Sequence, residues 1–521
     1  YINAKNKYMK ENLKKILQAR VYEVAKETPL EKANILSKRF NNNIFLKRED
    51  LQDVFSFKIR GAFNKMRNLS RNKLKKGVIT SSAGNHAQGV ALSALKLKSK
   101  ATILMPITTP LVKIKAVKEL QAEVILFGEN YDESYSEALR LSKERDLTFI
   151  HPFDDIDVIA GQGTIAVEII SQLGDPPDCI YVAVGGGGLV AGILTYIKNL
   201  WPETKVIGVE PEDADAMSRS LKENKIIELE NVGLFADGVA VKKVGKLTFE
   251  ITKKYVDKII TVNNDEICAA IKDVFEDTRS ILEPAGALSI AGMKKDIIEK
   301  RHNQLNLVSI ACGANMNFER LRFVAERAEL GEYKEAMLAV EIPEKAGSLI
   351  DLCKLLKDRN LTEFSYRMSN SQNAQIFIGL QVNGLADKKL LIEEFNNSKY
   401  NYIDISNDEL SKNHLRHMVG GRLPYRFSEV INENLKEILY RFEFPERPGA
   451  LMKFLKSMKP DWSISVFHYR NHGADVGRIV IGVLINENYI HDWYEFVNDL
   501  GYKYWDESNN KTYKLFLGAS T

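Results

Sequence analysis

A chain of 521 residues is long enough for about three or four domains. It is 45% hydrophobic and 27% charged, and 73 basic against 69 acidic residues leave a net charge of +4, too even a balance to argue for a nucleic-acid partner. Four scattered cysteines without a C-x-x-C pair argue against a disulfide framework and for a reducing compartment, and no run approaches the ~18 continuous apolar residues of a membrane span.

The first stretch, "YINAKNKYMKENLKKILQAR", has no apolar core of the kind a signal peptide needs, and it opens without an initiator Met, so trimmed residues are expected before it. Next, "DVFSFKIRGAFNKM" (Asp53–Met66) spaces Ile59, Ala62, Phe63 and Met66 at i, i+3, i+4 and i+7, which predicts an amphipathic helix. Lys58 falls in its first turn, where the helix dipole disfavours a cation. A solvated lysine is the plain explanation. A lysine facing a closed cleft would instead have a lowered pKa and become a Schiff-base candidate.

From about Asn43 to Gly313, β-rich runs alternate with helical patterns. The runs are Gly77–Thr80, Ala101–Met105, Glu123–Phe127, Leu147–His151, Cys179–Val184, Lys205–Glu210 and Asn306–Ala311. The alternation predicts an α/β fold with largely parallel sheets, long enough for two lobes and a cleft.

Three loops at strand ends in this region could carry chemistry. "SSAGNH" (Ser81–His86) sets small residues and hydroxyls at a helix start, which suits a carboxylate or phosphate but equally suits ordinary capping. "VGGGGLVAG" (Val184–Gly192) has four consecutive glycines, a costly choice unless the backbone wraps closely around an anion. Within it, Gly186-x-Gly188-x-x-Ala191 followed by Glu210 also fits a dinucleotide fingerprint, so a nicotinamide-dependent oxidoreductase stands as an alternative. "SIACGAN" (Ser309–Asn315) puts Cys312 at a strand's carboxyl end, where open α/β sheets bind ligands, although a buried structural cysteine reads the same way. A lysine, a glycine cradle, a carboxylate loop and a polar partner for a ring nitrogen together match pyridoxal phosphate.

Beyond Arg327–Tyr333 an internal repeat appears. "EIPEKAGSL" (Glu341–Leu349) matches "EFPERPGAL" (Glu443–Leu451), Tyr366–Arg367 matches Tyr469–Arg470, and "IFIGLQV" (Ile376–Val382) matches "IVIGVLI" (Ile479–Ile485). This is a duplicated module of roughly 80–100 residues with a ferredoxin-like βαββαβ pattern. The joint "HLRHMVGGR" (His414–Arg422) reads as a linker, and its His414 and His417 lack a third ligand, so no metal site is expected.

These motifs resemble the fold-type II pyridoxal-phosphate enzymes, and within them the biosynthetic threonine deaminases (threonine ammonia-lyases). The resemblance rests on "FLKREDLQ…SFKIRGAFNKM", "SSAGNHAQGVA", "HPFDD…VIAGQGTIAVEI", "VGGGGLVAGI", "GVEPEDA", "LFADGVAV", "EPAGALSIAGMK" and the tandem module. It implies a two-lobed, tryptophan-synthase-β-like catalytic domain over residues 1–330, with a smaller lobe at roughly 50–155, and ACT-like regulatory domains over 331–422 and 436–521. It also implies the residue roles. Lys58 resembles the internal-aldimine lysine and α-proton base, and Phe57 is its neighbour in the cofactor site. Asn85 resembles the partner of the cofactor's phenolic oxygen, and Gly185, Gly186, Gly187, Gly188 and Leu189 resemble the phosphate cradle. Cys312 stands where the family usually has a serine on the pyridine nitrogen. Ser82, Ala83, Gly84, Asn85 and His86 resemble the loop for the substrate carboxylate.

The same resemblance implies L-threonine as substrate (with L-serine a lesser candidate), isoleucine as inhibitor and valine as activator. It implies a homotetramer in the cytoplasm, or in an organelle stroma if a transit peptide has been removed, with no nucleic-acid or membrane partner. Tyr366 and Tyr469 are the candidate effector residues, though both also read as aromatic core. Asp53 and Phe55 depart from the Pro and His usual just before the lysine, which is expected to alter access to the cleft rather than the amine chemistry.

Overall fold

The computed structural model describes residues 11–345, 347–357, 359–367, 373–408, 411–412, 435–445, 450–459, 462–470 and 476–510. The chain divides into two compact units, Tyr1–Gly331 and Glu332–Thr521. The linker read at His414–Arg422 lies outside the described residues.

The first unit holds two sheets. A six-stranded sheet runs in the order Leu30–Lys32, Asn43–Arg48, Asn306–Ala311, Cys179–Ala183, Lys205–Pro211, Lys258–Val262, all parallel except the first strand. A four-stranded parallel sheet orders Glu123–Leu126, Ala101–Met105, Val78–Ser81, Thr148–Phe149. The seven sequence-read strands all form, within a few residues of the expected ends. Leu30–Lys32, Asn43–Arg48 and Lys258–Val262 were not among them. Leu30–Lys32 is three residues long and only partly buried, so it carries little apolar signal.

The helix predicted after Asp53 spans Lys58–Arg67, and Ile59, Ala62, Phe63 and Met66 are each at most 1% exposed. It crosses the helix Ile156–Leu173, where a side chain at Gly161 would meet the Arg60 carbonyl oxygen at 2.6 Å. Asp155 starts that second helix by accepting from Asp157 N–H and Val158 N–H at 2.9 and 3.2 Å. The sequence reading passed over this helix as a candidate span. Its eighteen residues are long and apolar enough to cross a membrane by length and composition. Its apolar character is explained by packing, with Val158, Ile159, Ile165 and Ile169 all buried in this unit.

The second unit repeats strand–helix–strand–strand–helix–strand twice, as the duplication predicted. The first copy runs from strand Glu335–Pro343 to strand Asn401–Asp404, the second from Leu435–Pro445 to Lys503–Asp506. Strands Leu361–Arg367 and Ser463–Arg470 pair antiparallel and fuse the copies into one eight-stranded sheet.

Candidate active site

Three chain reversals at strand ends face one cavity. Phe57, Lys58, Asn85, Gly185, Gly186, Gly187, Gly188, Leu189 and Cys312 line it, joined by Phe153, Ala183, Gly238, Val239, Glu283 and Ala285. The fold therefore gathers every residue read from the sequence as a cofactor contact, from segments more than 250 residues apart in the chain.

Lys58 is half-buried at the first position of its helix, with Phe57 as a cap that offers no side-chain acceptor. Its Nζ donates to the Pro152 carbonyl at 3.3 Å and has no carboxylate in ion-pair range among the described residues. Removal from water pushes the amine down to about 8, with Cys312 and Glu283 opposing the shift. A lysine with that proton affinity is partly neutral near physiological pH, as a nucleophile or base requires.

The glycine loop follows strand Cys179–Ala183 and starts the helix Gly188–Leu200. Gly187 has φ +93°, a left-handed conformation that side chains resist. A side chain at Gly186 would sit 2.3 Å from the Phe153 ring, so the loop is hemmed in from behind. Thr248 Oγ1 donates to the Gly186 carbonyl at 2.6 Å, fixing that peptide from the side of the large lobe. The helix's first N–H groups lack acceptors within the helix and so present partial positive charge. Phe153 is itself held by His151, whose Nδ1 accepts from Phe153 N–H and Asp154 N–H at 3.2 and 2.8 Å. Asp154 in turn caps the helix Lys246–Tyr255 through Leu247 N–H at 2.8 Å. The "HPFDD" motif thus builds the back wall of the glycine loop.

At the third reversal, Cys312 is buried, and burial raises its thiol well above the usual range. Its Sγ lies 3.3 Å from the Ile310 carbonyl oxygen. It therefore faces the cavity as a neutral group.

The Ser82–His86 loop is brought to the same region, but its members differ. Asn85 lines the cavity and opens the helix Asn85–Leu97, while Ser82, Ala83 and Gly84 are half-buried. Ser82 Oγ accepts from Gly84 N–H at 3.2 Å, tightening the turn. The His86 ring turns away, with Nε2 3.0 Å from the Ile150 carbonyl oxygen, and burial pushes it down to about 3.

Glu283 and Asn315 belong to the site and were not read from the sequence. Asn85 Nδ2 donates to Glu283 Oε1 at 2.5 Å, and Asn315 Nδ2 donates to Asn85 Oδ1 at 2.6 Å. Glu283 stands at a helix N-cap before Pro284, a position that predicts capping, yet its side chain makes no cap bond. The one available signal was its place at the head of the "EPAGALSIAGMK" motif.

The dinucleotide alternative loses its second half. Glu210 is fully buried and accepts from Met217 N–H and Ser218 N–H, both at 2.8 Å, so it is committed to the next helix and closed to a ribose. Of the two departures, Asp53 pairs with Lys26 at the surface. Phe55 is exposed at φ +53°, with its carbonyl accepting from Ala314 N–H at 2.9 Å.

In the second unit, Tyr366 and Tyr469 separate. Tyr366 OH is 2.7 Å from Glu344 Oε1 and lines a cleft of about 1090 Å³ with Ser348, Lys459 and Trp462. Tyr469 is buried on strand Ser463–Arg470 opposite Phe364 and does not line that cleft.

Residues 21–313 match the family model of pyridoxal-phosphate dependent enzymes, and residues 326–415 and 430–517 match the C-terminal regulatory domain of threonine dehydratase. The chain is 53% identical to the L-threonine dehydratase biosynthetic IlvA of Burkholderia multivorans, over 97% of this chain and 99% of that one. It is 50% identical to the mitochondrial threonine dehydratase of Schizosaccharomyces pombe, over 97% of this chain and 83% of that one. Among solved structures, the processed threonine deaminase isoform 2 of Solanum lycopersicum superposes with a TM-score of 0.61 at 50% identity, covering 62% of this chain and 89% of that one. With one cavity uniting the lysine, the glycine loop and the third reversal, and with relatives matched from end to end, this chain belongs to the biosynthetic threonine dehydratase family of pyridoxal-phosphate-dependent enzymes.

Proposed function

We propose that this enzyme converts L-threonine to 2-oxobutanoate and ammonia, the first step of isoleucine biosynthesis, under control of its C-terminal unit. The observation that carries the reading is a lysine amine with lowered proton affinity sharing a cavity with four glycines whose backbone has no room for side chains.

The residues fit pyridoxal phosphate. The glycine loop and the start of its helix would hold the phosphate, Lys58 the aldehyde carbon, Asn85 the phenolic oxygen and Cys312 the ring nitrogen. Bound there, the cofactor withdraws electrons from the amino acid's α-carbon and so acidifies its proton. Lys58 Nζ, exchanged for the substrate amine, takes that α-proton as general base. The Ser82–His86 loop orients the substrate carboxylate with its backbone N–H groups. The Cys312 thiol, being neutral, leaves the ring nitrogen without the full proton that a carboxylate partner would secure. The test is a Lys58→Ala variant assayed for 2-oxo acid with L-threonine, beside a visible spectrum. Loss of both the oxo acid and the near-visible cofactor band supports the reading, and full activity ends it.

For the effectors, the reading is isoleucine as inhibitor and valine as activator, bound in the cleft beside Tyr366. Ser348 Oγ and Trp462 Nε1 line or adjoin that cleft and have no hydrogen-bond partner among the described residues, which supports a polar ligand there. A homotetramer is the expected assembly and the cytoplasm the expected site, with light scattering and fractionation as their checks.

A further inference from the structure

Glu283 is 5% exposed, lines the catalytic cavity, and has no ion-pair partner among the described residues. A carboxyl so placed is costly unless it has a task. Three observations define one. Its Oε1 accepts from Asn85 Nδ2 at 2.5 Å. Asn85 Oδ1 is held from the other side by Asn315 Nδ2 at 2.6 Å, and Asn315 Nδ2 also reaches the Val54 carbonyl at 2.9 Å. Glu283, Asn85 and Lys58, finally, line the same cavity.

The chain of bonds leaves the Asn85 amide one orientation. Its oxygen must face the Asn315 amide, so its nitrogen faces Glu283 and has one N–H left for the cavity. We propose that Glu283 is a positioning residue of the cofactor site: with Asn315 it locks the Asn85 amide, so that the one remaining N–H of that amide is aimed into the cavity.

The surroundings suit this role. Glu283 is faced by Asp237, Lys113, Arg320, Lys58 and the Cys312 thiol, besides Asn85. Burial, followed by Asp237, pushes its carboxyl up to about 7. Lys58 is faced by Cys312, Glu283, His86 and His151, and the two imidazoles are pushed down by burial to about 3 and about 4, so they stay neutral.

The inference rests on this cavity being the cofactor site. It is tested on the full-length protein by titrating the apoprotein with pyridoxal phosphate, followed by absorbance. Glu283→Ala and Asn315→Ala are each expected to bind the cofactor about three- to tenfold more weakly, the cost of one misdirected hydrogen bond, while Glu283→Gln, which keeps an acceptor for Asn85 Nδ2, returns toward wild-type affinity. Wild-type affinity in either alanine variant, or no recovery in Glu283→Gln, overturns the proposal. Either result leaves the Lys58 reading intact, because that reading fails only if Lys58→Ala is active.

Discussion

Gly186→Ala adds one methyl group at the tightest point of the glycine loop. The added carbon would lie 2.3 Å from Phe153 Cδ1 and Cγ and 2.4 Å from Cε1. Carbon atoms in contact sit about 3.5–4.0 Å apart, so something must move by more than 1 Å or so. The ring has little freedom to move. It stands edge-on to His151 at 4.7 Å between centroids, and His151 Nδ1 accepts from the backbone of both Phe153 and Asp154. The Phe153 backbone also fills the space beside Gly188, within 3.2 Å of where a side chain would begin. The loop is therefore the part that yields, at a cost of about 1–3 kcal/mol for an overpacked site. If that cost is carried by the cofactor-binding geometry, affinity for pyridoxal phosphate falls about 5–150-fold. Titration of the apoprotein with the cofactor, followed by absorbance, measures it. The double variant Gly186→Ala/Phe153→Ala removes the clash and should recover much of the loss, a non-additivity expected for residues in contact. Wild-type affinity in the single variant, or purely additive losses in the double, would refute the reasoning.

Other outcomes follow from the same geometry. Arg60 is fully buried between Glu49 and Glu168, donating to Glu49 Oε2 and Oε1 at 2.8 Å each and to Glu168 Oε2 at 2.9 Å. Arg60→Met leaves both carboxylates under-compensated and should destabilise the catalytic unit by about 3–5 kcal/mol, read by calorimetry as a lowered transition; an unchanged transition would contradict it. The Glu283 carboxyl is raised from 4.5 to about 7, so the folded apoprotein holds a proton there that the unfolded chain has released. That contribution to stability is complete below pH 4.5 and lost as pH rises through about 7. Glu283→Gln should flatten the fall in apoprotein melting temperature across this window, and an identical slope in both proteins would count against the buried carboxyl. Ser348→Val should weaken isoleucine inhibition by about tenfold, as befits one lost polar contact, while leaving kcat unchanged; unaltered inhibition would move the effector site elsewhere.

The fused eight-stranded sheet gives the regulatory unit a route for acting as one body. The strands Leu361–Arg367 and Ser463–Arg470 belong to different copies, and Tyr366, within the first of them, also lines the cleft. Both copies line that cleft, Ile342, Glu344 and Ser348 from one and Leu455, Trp462 and Ile464 from the other. The two tyrosines looked equivalent in the repeat, and only strand placement made one a wall of the cleft and the other a core residue.

The order of elements was written in local pattern. Period-3.6 spacing placed Ile59, Ala62, Phe63 and Met66 in the core, β-rich runs located seven strands of the catalytic unit, and the repeat announced the two regulatory copies. The lysine and the four glycines were also legible, since each breaks a local rule that function excuses. What local pattern could not supply was the identity of distant partners. The run Lys47–Arg48–Glu49–Asp50 holds four consecutive charged residues, yet all four are at most 3% exposed. Their burial is tolerated because Glu168, Arg60 and Thr28 arrive from other segments to pair with Lys47 and Glu49, while Arg48 and Asp50 pair with each other. Glu283 and Asn315 escaped notice for the same reason, as their meaning lies in bonds to Asn85, some 200 residues earlier in the chain. Hydrophobic periodicity acts between neighbours in the chain and so determines elements; hydrogen bonds and ion pairs act between neighbours in space, and only the folded chain decides who those are.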